Sequence, residues 1–144
     1  RPFIPTDQAE AKALILAGMQ DHWGFIDPTL NPDLNDIADS YRDCVFMVGR
    51  IEGRLVATGC LKNISPAGAE IVRMSVSRDL RGRGLGKQML TRLINHAREL
   101  GCQKIILETT ADWGEVVAFY ESAGFTRTEI RDGDQYFEMI LSEG

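Results

Sequence analysis

The stretch IVRMSVSRDLRGRGLGKQML, residues 71–90, decides how the chain is read. Its first half alternates like a strand and its end opens a helical spacing. Between them Gly82, Gly84 and Gly86 sit among Arg81, Arg83 and Lys87. A strand that turns through glycines into a helix leaves the first backbone N–H groups of that helix without partners, and the helix dipole adds about half a positive charge there. Such a turn is an anion site. Two nucleotide-binding patterns fail on spacing. A P-loop requires Gly at 81 and Ser or Thr at 88, where the chain has Arg81 and Gln88, and the dinucleotide fingerprint requires Gly at 87, where Lys87 stands. What is left is Arg81-x-x-Gly84-x-Gly86.

Charge sharpens the same reading. Residues 73–92 carry six cations (Arg73, Arg78, Arg81, Arg83, Lys87, Arg92) against Asp79 alone, while the whole chain has a formal charge of -5. A basic island in an acidic chain suits a small anionic ligand and argues against nucleic acid as a partner. The 144 residues, 44% of them hydrophobic, suffice for a single domain over 1–144 with a real core. No apolar run reaches the ~20 residues that span a bilayer, so no membrane partner is expected. Cys44, Cys60 and Cys102 are odd in number and lack CxxC spacing, which fits neither a disulfide framework nor a metal site. A cytoplasmic location without bound metal is expected.

Outward from the glycines, RPFI reads as the tail of a first strand. Asp7 and Glu10 fit a capping box before a helix burying Ala11, Leu14, Ile15, Gly18 and Met19. QDHWGFIDPTLNPD reads as a loop, and 33–41 as a short helix burying Leu34, Ile37, Ala38 and Tyr41. Two apolar runs flank Glu52-Gly53 as a hairpin, and a third strand covers about 69–77. The helix after the glycines runs to Leu100, with Leu85, Met89, Leu93, Ile94, Ala97 and Leu100 inward and Gly101 as its stop. KIILET is a strand and GEVVAFYES a helix stopped by Gly124. FTRTEI and QYFEMIL form a hairpin at Asp132-Gly133. QYFEMIL is placed at a sheet edge, where it would pair with a second copy in a homodimer.

With these elements in hand, the chain resembles the GNAT superfamily of acyl-CoA-dependent N-acetyltransferases. That family's pyrophosphate loop reads Arg/Gln-x-x-Gly-x-Gly/Ala, and VVAFYESAGF is similar to its later helix ending in Tyr-Glu-x-x-Gly-Phe. The resemblance implies an α/β fold of the GNAT type: a mixed twisted sheet of about seven strands flanked by four helices, in the order β-α-α-β-β-β-α-β-α-β-β. It also implies acetyl-CoA as cosubstrate. The pyrophosphate would lie on Arg81, Gly82, Arg83, Gly84, Leu85, Gly86 and Lys87, with Arg78 a further phosphate contact. The pantetheine arm would lie along the backbone of Met74, Ser75 and Val76, with the Val76 N–H as oxyanion donor. Tyr120 takes the place of the family's general acid near the sulfur. The base is Glu70 or, as rival, Glu108.

The acceptor would be an amine. Residues 20–43 hold Asp21, Asp27, Asp33, Asp36, Asp39 and Asp43 against Arg42, a field that favours a cationic one. His22, Trp23 and Phe25 are candidate pocket residues. One departure stands out: Trp113 occupies the position where many members carry asparagine. The alternatives to an acetyltransferase are a binding module that holds acyl-CoA without chemistry and an enzyme using another acyl group or acceptor.

Overall fold

The computed structural model describes residues 1–23, 31–65, 68–110 and 114–141. In chain order the elements are α1 (Gln8–Trp23), α2 (Ile37–Ser40), β1 (Val45–Ile51), β2 (Arg54–Ser65), β3 (Gly68–Val76), α3 (Leu85–Glu99), β4 (Lys104–Thr110), α4 (Gly114–Ser122), β5 (Thr126–Arg131) and β6 (Asp134–Ile140). Six strands form one sheet in the order β1-β2-β3-β4-β6-β5. All neighbours are antiparallel except β3 and β4. The mixed sheet with four helices agrees with the expected fold, but the seventh strand is reduced to one bridge, Pro2 to Met47. Pro2 has no N–H to give, and Pro5 stops any extension.

The helices cover both faces. On one, α3 and α4 pack Met89, Leu90, Leu93, Ile94, Ala97, Val117 and Tyr120 against Leu61, Ile71, Ile105, Leu107 and Phe137. On the other, Ala11, Ile15, Leu34 and Ile37 meet Phe46, Val48, Leu55 and Cys60. Hairpin turns form where expected: Glu52 and Gly53 take φ of 51° and 81°, the left-handed pair that suits the strand twist.

Several expectations need correction. Asp7 does not cap α1; it closes a 3-10 turn at Pro5–Asp7, fully buried, and its carboxylate accepts from the Ile4 N–H at 2.9 Å and from Arg1 and Arg50. Glu10 instead accepts from Arg50 and from the Leu55 N–H of β2. Gln20 to Trp23 continue α1, because the breakers in that segment begin only at Gly24. The 33–41 helix is broken at Asp36, whose side chain accepts from the Asp39 N–H and starts a new turn. Ala38 is exposed there. Leu100, in the last turn of its segment, is 54% exposed, since Gly101 at φ 80° turns the chain back before the apolar stripe reaches it. Finally, β6 lies between β4 and β5, so it has no free edge and the ground for a homodimer through it is gone. No described helix is long and apolar enough to cross a membrane.

Candidate active site

The site begins with a bulge. Across β2 and β3 the register runs Thr58↔Ser75 and then Cys60↔Val72, so Gly59 alone faces both Arg73 and Met74. Arg73 takes φ 55°, and its carbonyl accepts from the buried Thr58 hydroxyl at 2.8 Å. A bulge of this kind bends its strand and increases the twist. Gly59 is required by packing: a Cβ there would come within 2.8 Å of the Met74 sulfur and of Leu93.

The bend parts the sheet. β3 and β4 pair only at Gly68↔Lys104, Ala69↔Ile105 and Glu70↔Ile106, after which β3 runs on to Val76 and β4 to Thr110 without pairing. Ser77 donates its N–H to the Val56 carbonyl at 2.8 Å. Bonded pairs alternate along an antiparallel ladder, so the next pair, Ala57↔Val76, is non-bonded and Val76 turns its N–H and C=O away from β2. Arg81 Nε donates to that carbonyl at 3.3 Å. Ser75, by the same alternation, points its N–H toward β2. Of the strand backbone expected to meet the pantetheine arm, Val76 therefore faces the gap and Ser75 does not.

Beyond the gap comes the glycine turn. Gly84 precedes α3 with φ 83° and ψ 5°, a conformation that costs other residues a Cβ clash, and no side chain caps the helix. The first N–H in the helical ladder is that of Gln88, donating to the Gly84 carbonyl at 3.0 Å. The N–H groups of Leu85, Gly86 and Lys87 precede it at the positive end of the dipole. Gly86 differs from Gly84: a Cβ there would make ordinary contact, 3.5 Å from the Phe119 ring and 3.6 Å from Val76. The helix start, the end of β3 and the helix bearing Tyr120 thus converge on one point.

Tyr120 has its ring in the core, 5.7 Å from Phe137 and 6.0 Å from Phe125 between centroids, and is 7% exposed. The turn after α4 explains its neighbours in the motif. Gly124 takes φ 105°, and the Phe125 N–H returns to the Tyr120 carbonyl at 3.1 Å, folding Phe125 onto the tyrosine. Burial pushes the Tyr120 phenol up to about 12, so it is protonated at neutral pH.

A cavity of about 450 Å³ is lined by Asp33, Tyr41, Lys62, Ile71, Val72, Arg73 and Glu108. Glu70 and Glu108 belong to adjacent strands, and Tyr136 stands opposite Glu108 on β6. Burial raises the Glu70 carboxyl above the ordinary range; Glu108 adds to the rise and Lys62, opposite Glu70 on β2, counters it. The two base candidates are thus neighbours.

Part of the acidic field expected on this side is spent locally. Asp33 binds Arg73 at 2.8 Å and accepts from the Tyr41 hydroxyl, Asp36 caps α2, and Asp39 meets Arg42 at 3.6 Å. The basic island is likewise depleted by Arg73. The side chains of His22 and Trp23, together with Phe25 and Trp113, lie outside the described residues. Sequence reasoning did not find the roles of Tyr41, Lys62 and Arg73, and the bulge has no local signal, because which residues Gly59 faces is set by the strand register.

The model of the Acetyltransferase (GNAT) family matches residues 14–125. The chain belongs to that family. N-acetyltransferase 8B of Homo sapiens is 28% identical over 123 residues, covering 80% of this chain and 52% of its own length. Glucosamine 6-phosphate N-acetyltransferase 1 of Oryza sativa subsp. japonica is 36% identical over 87 residues, 56% of this chain and 51% of its own. This GNAT chain spans about half the length of the curated relatives it matches. In fold it is similar to a GNAT-family acetyltransferase of Staphylococcus aureus Mu50 (TM-score 0.89, 19% identity, covering 99% of this chain and 98% of that one). It is also similar to the PaiA N-acetyltransferase of Thermoplasma acidophilum in complex with coenzyme A (TM-score 0.86, 17% identity, covering 98% and 97%).

Proposed function

We propose that residues 1–144 act as one N-acetyltransferase domain that moves an acetyl group from acetyl-CoA directly to an amine. The observation that carries this is the parting of β3 and β4 beside the uncapped start of α3. Membership of the GNAT family supports it, as do relatives named for amine acetylation and a structural neighbour solved with coenzyme A.

The residues fit that cosubstrate. The N–H groups of Leu85, Gly86 and Lys87 and the turn at Arg81, Gly82, Arg83 and Gly84 would hold a pyrophosphate, as helix starts hold anions generally. The exposed backbone of Val76, with Met74, would take the pantetheine arm as an added strand. Acetyl-CoA supplies the activated thioester. The Val76 N–H would donate to the carbonyl oxygen as charge builds on it. Glu70, its carboxyl raised by burial, would accept the amine's proton, with Glu108 as rival. The Tyr120 hydroxyl would protonate the leaving sulfur. The three free cysteines suit a reducing, cytoplasmic setting.

The test is calorimetry with acetyl-CoA followed by thiol release across a panel of amines, with products weighed by mass spectrometry. Saturable binding and amine-dependent release of free thiol are expected. Tight binding with no acceptor-dependent turnover would leave only an acyl-CoA-binding module.

A further inference from the structure

Four charged side chains line the cavity beside the gap: Asp33, Lys62, Arg73 and Glu108. Two of them cancel. Arg73 gives its Nε and Nη2 to the Asp33 carboxylate and reaches Asn31 as well, and Asp33 also takes the Tyr41 hydroxyl, so this pair has little capacity left for a ligand. Lys62 is in the other position. It forms none of the ion pairs found among the described residues, and its nearest charged neighbour in register is Glu70, directly opposite on β3. Glu108 lines the same cavity, with Tyr136 opposite it on β6.

The sheet fixes how these groups are spaced. Lys62 on β2, Glu70 on β3 and Glu108 on β4 occupy three successive strands, Lys62 directly opposite Glu70 and Glu108 two positions past the last pairing of β3 with β4. One ammonium, that of Lys62, and one carboxylate outside the Asp33–Arg73 pair, that of Glu108, line a small, polar cavity of about 450 Å³, a volume suited to a metabolite-sized ligand. An amine that enters must leave its proton near Glu70 and Glu108. Lys62, which enters none of the ion pairs among the described residues, offers its ammonium to an anion carried by the same molecule.

We propose that the acceptor is a small amine bearing an anionic group, carboxylate or phosphate, a few bonds away, with Lys62 as the residue that selects the anion. This rests on the acetyltransferase reading and names the substrate class of the same site. It adds an anion to the amine acceptor suggested by the aspartates of residues 20–43, of which Asp33 is spent on Arg73.

The experiment compares acceptors that differ only in that anion: β-alanine with β-alaninamide, phosphoethanolamine with ethanolamine, and further pairs of the same kind. In the wild-type protein kcat/KM for the anionic member should exceed that of its neutral partner by ~10-fold or more, the worth of one charge-assisted hydrogen bond. The carboxylate and phosphate arms say which anion is preferred. In Lys62→Gln the preference should shrink to within about threefold through acceptor KM, with acetyl-CoA KM and melting temperature unchanged, and Lys62→Arg should restore most of it. Equal rates within the wild-type pairs, or a preference that survives in Lys62→Gln, would overturn the assignment while leaving acetyl transfer standing. Acetylation of no amine at all, in protein that binds acetyl-CoA, would overturn the transferase reading and this inference with it.

Discussion

Arg73 and Asp33, forty positions apart in sequence, are joined by an ion pair in which Nη2 lies 2.8 Å from Oδ2 and Nε lies 3.1 Å from the same oxygen. The pair ties the bulge of the central strand to the segment between the first two helices. Burial alone would raise the Asp33 carboxyl, but the Tyr41 hydroxyl and the Arg73 guanidinium outweigh it and hold it below the usual range. Its stabilisation is therefore present above the unfolded carboxylate value of about 3.9 and is lost as the pH falls through the lower folded value. Asp33→Asn should cost about 2 kcal/mol at pH 7. Urea unfolding should show that difference shrinking toward acid pH, and acceptor KM should rise while acetyl-CoA affinity holds.

The glycine turn separates two roles. Gly84→Ala puts a Cβ on a residue at φ 83°, at about 1–2 kcal/mol, and should weaken acetyl-CoA binding by swinging the first helical N–H groups out of line. Gly86→Ala meets only ordinary contacts with Phe119 and Val76 and should be nearly silent in both stability and affinity. Calorimetry on the two variants decides. Equal affinity for both would remove the anion site from this turn.

Tyr120→Phe keeps every ring contact in the core and deletes only the hydroxyl. As general acid, that hydroxyl is worth ~10²- to 10⁴-fold in kcat, with acetyl-CoA affinity and melting temperature unchanged. A kcat within about threefold of wild type, with chemistry shown to be rate-limiting, would transfer sulfur protonation to solvent or to the departing ammonium.

Glu70 offers the complementary pH test. Its carboxyl is raised in the folded protein, so folding is favoured most below the ordinary glutamate value and that advantage is lost as the pH rises through the folded one. Glu70→Gln should therefore be neutral or slightly stabilising at pH 7. As base, however, Glu70 must be ionised, so wild-type kcat/KM should decline on acidification through an apparent value above ~4.3. The variant should lose ~10²-fold in rate together with that acid limb. If Glu108→Gln has those effects and Glu70→Gln does not, the two carboxylates exchange roles.

The parts of the fold legible in the sequence were those written in local backbone chemistry. Glu52-Gly53, Asp132-Gly133 and Gly124 each announce a turn that the chain makes, and Gly84 announces a left-handed residue before a helix. The family resemblance then ordered the elements and pointed to Glu70, Val76 and Tyr120. What could not be read were relationships across the sheet. The burial of Asp7 by Arg50, the spending of Asp33 on Arg73 and the facing of Lys62 and Glu70 depend on which strands end up adjacent. Strand order also defeated the placement of β6: it follows β5 in sequence, yet enters the sheet inside it. Helix ends were overrun for a simpler reason, because periodicity at Ala38 and Leu100 continues after the backbone has turned.

Among the described residues only three residue pairs join β1-β2-β3 to β4-β6-β5. Backbone amides that would complete a continuous ladder are held back on both margins of the gap, so the sheet behaves as two panels sewn along a short seam. A pantetheine arm laid between them would act as a removable suture. Amide hydrogen exchange along residues 71–76 should then slow when the cosubstrate is present, and the melting temperature should climb with its concentration by mass action. In such a molecule the cosubstrate is a reactant that also serves, while it is bound, as part of the framework.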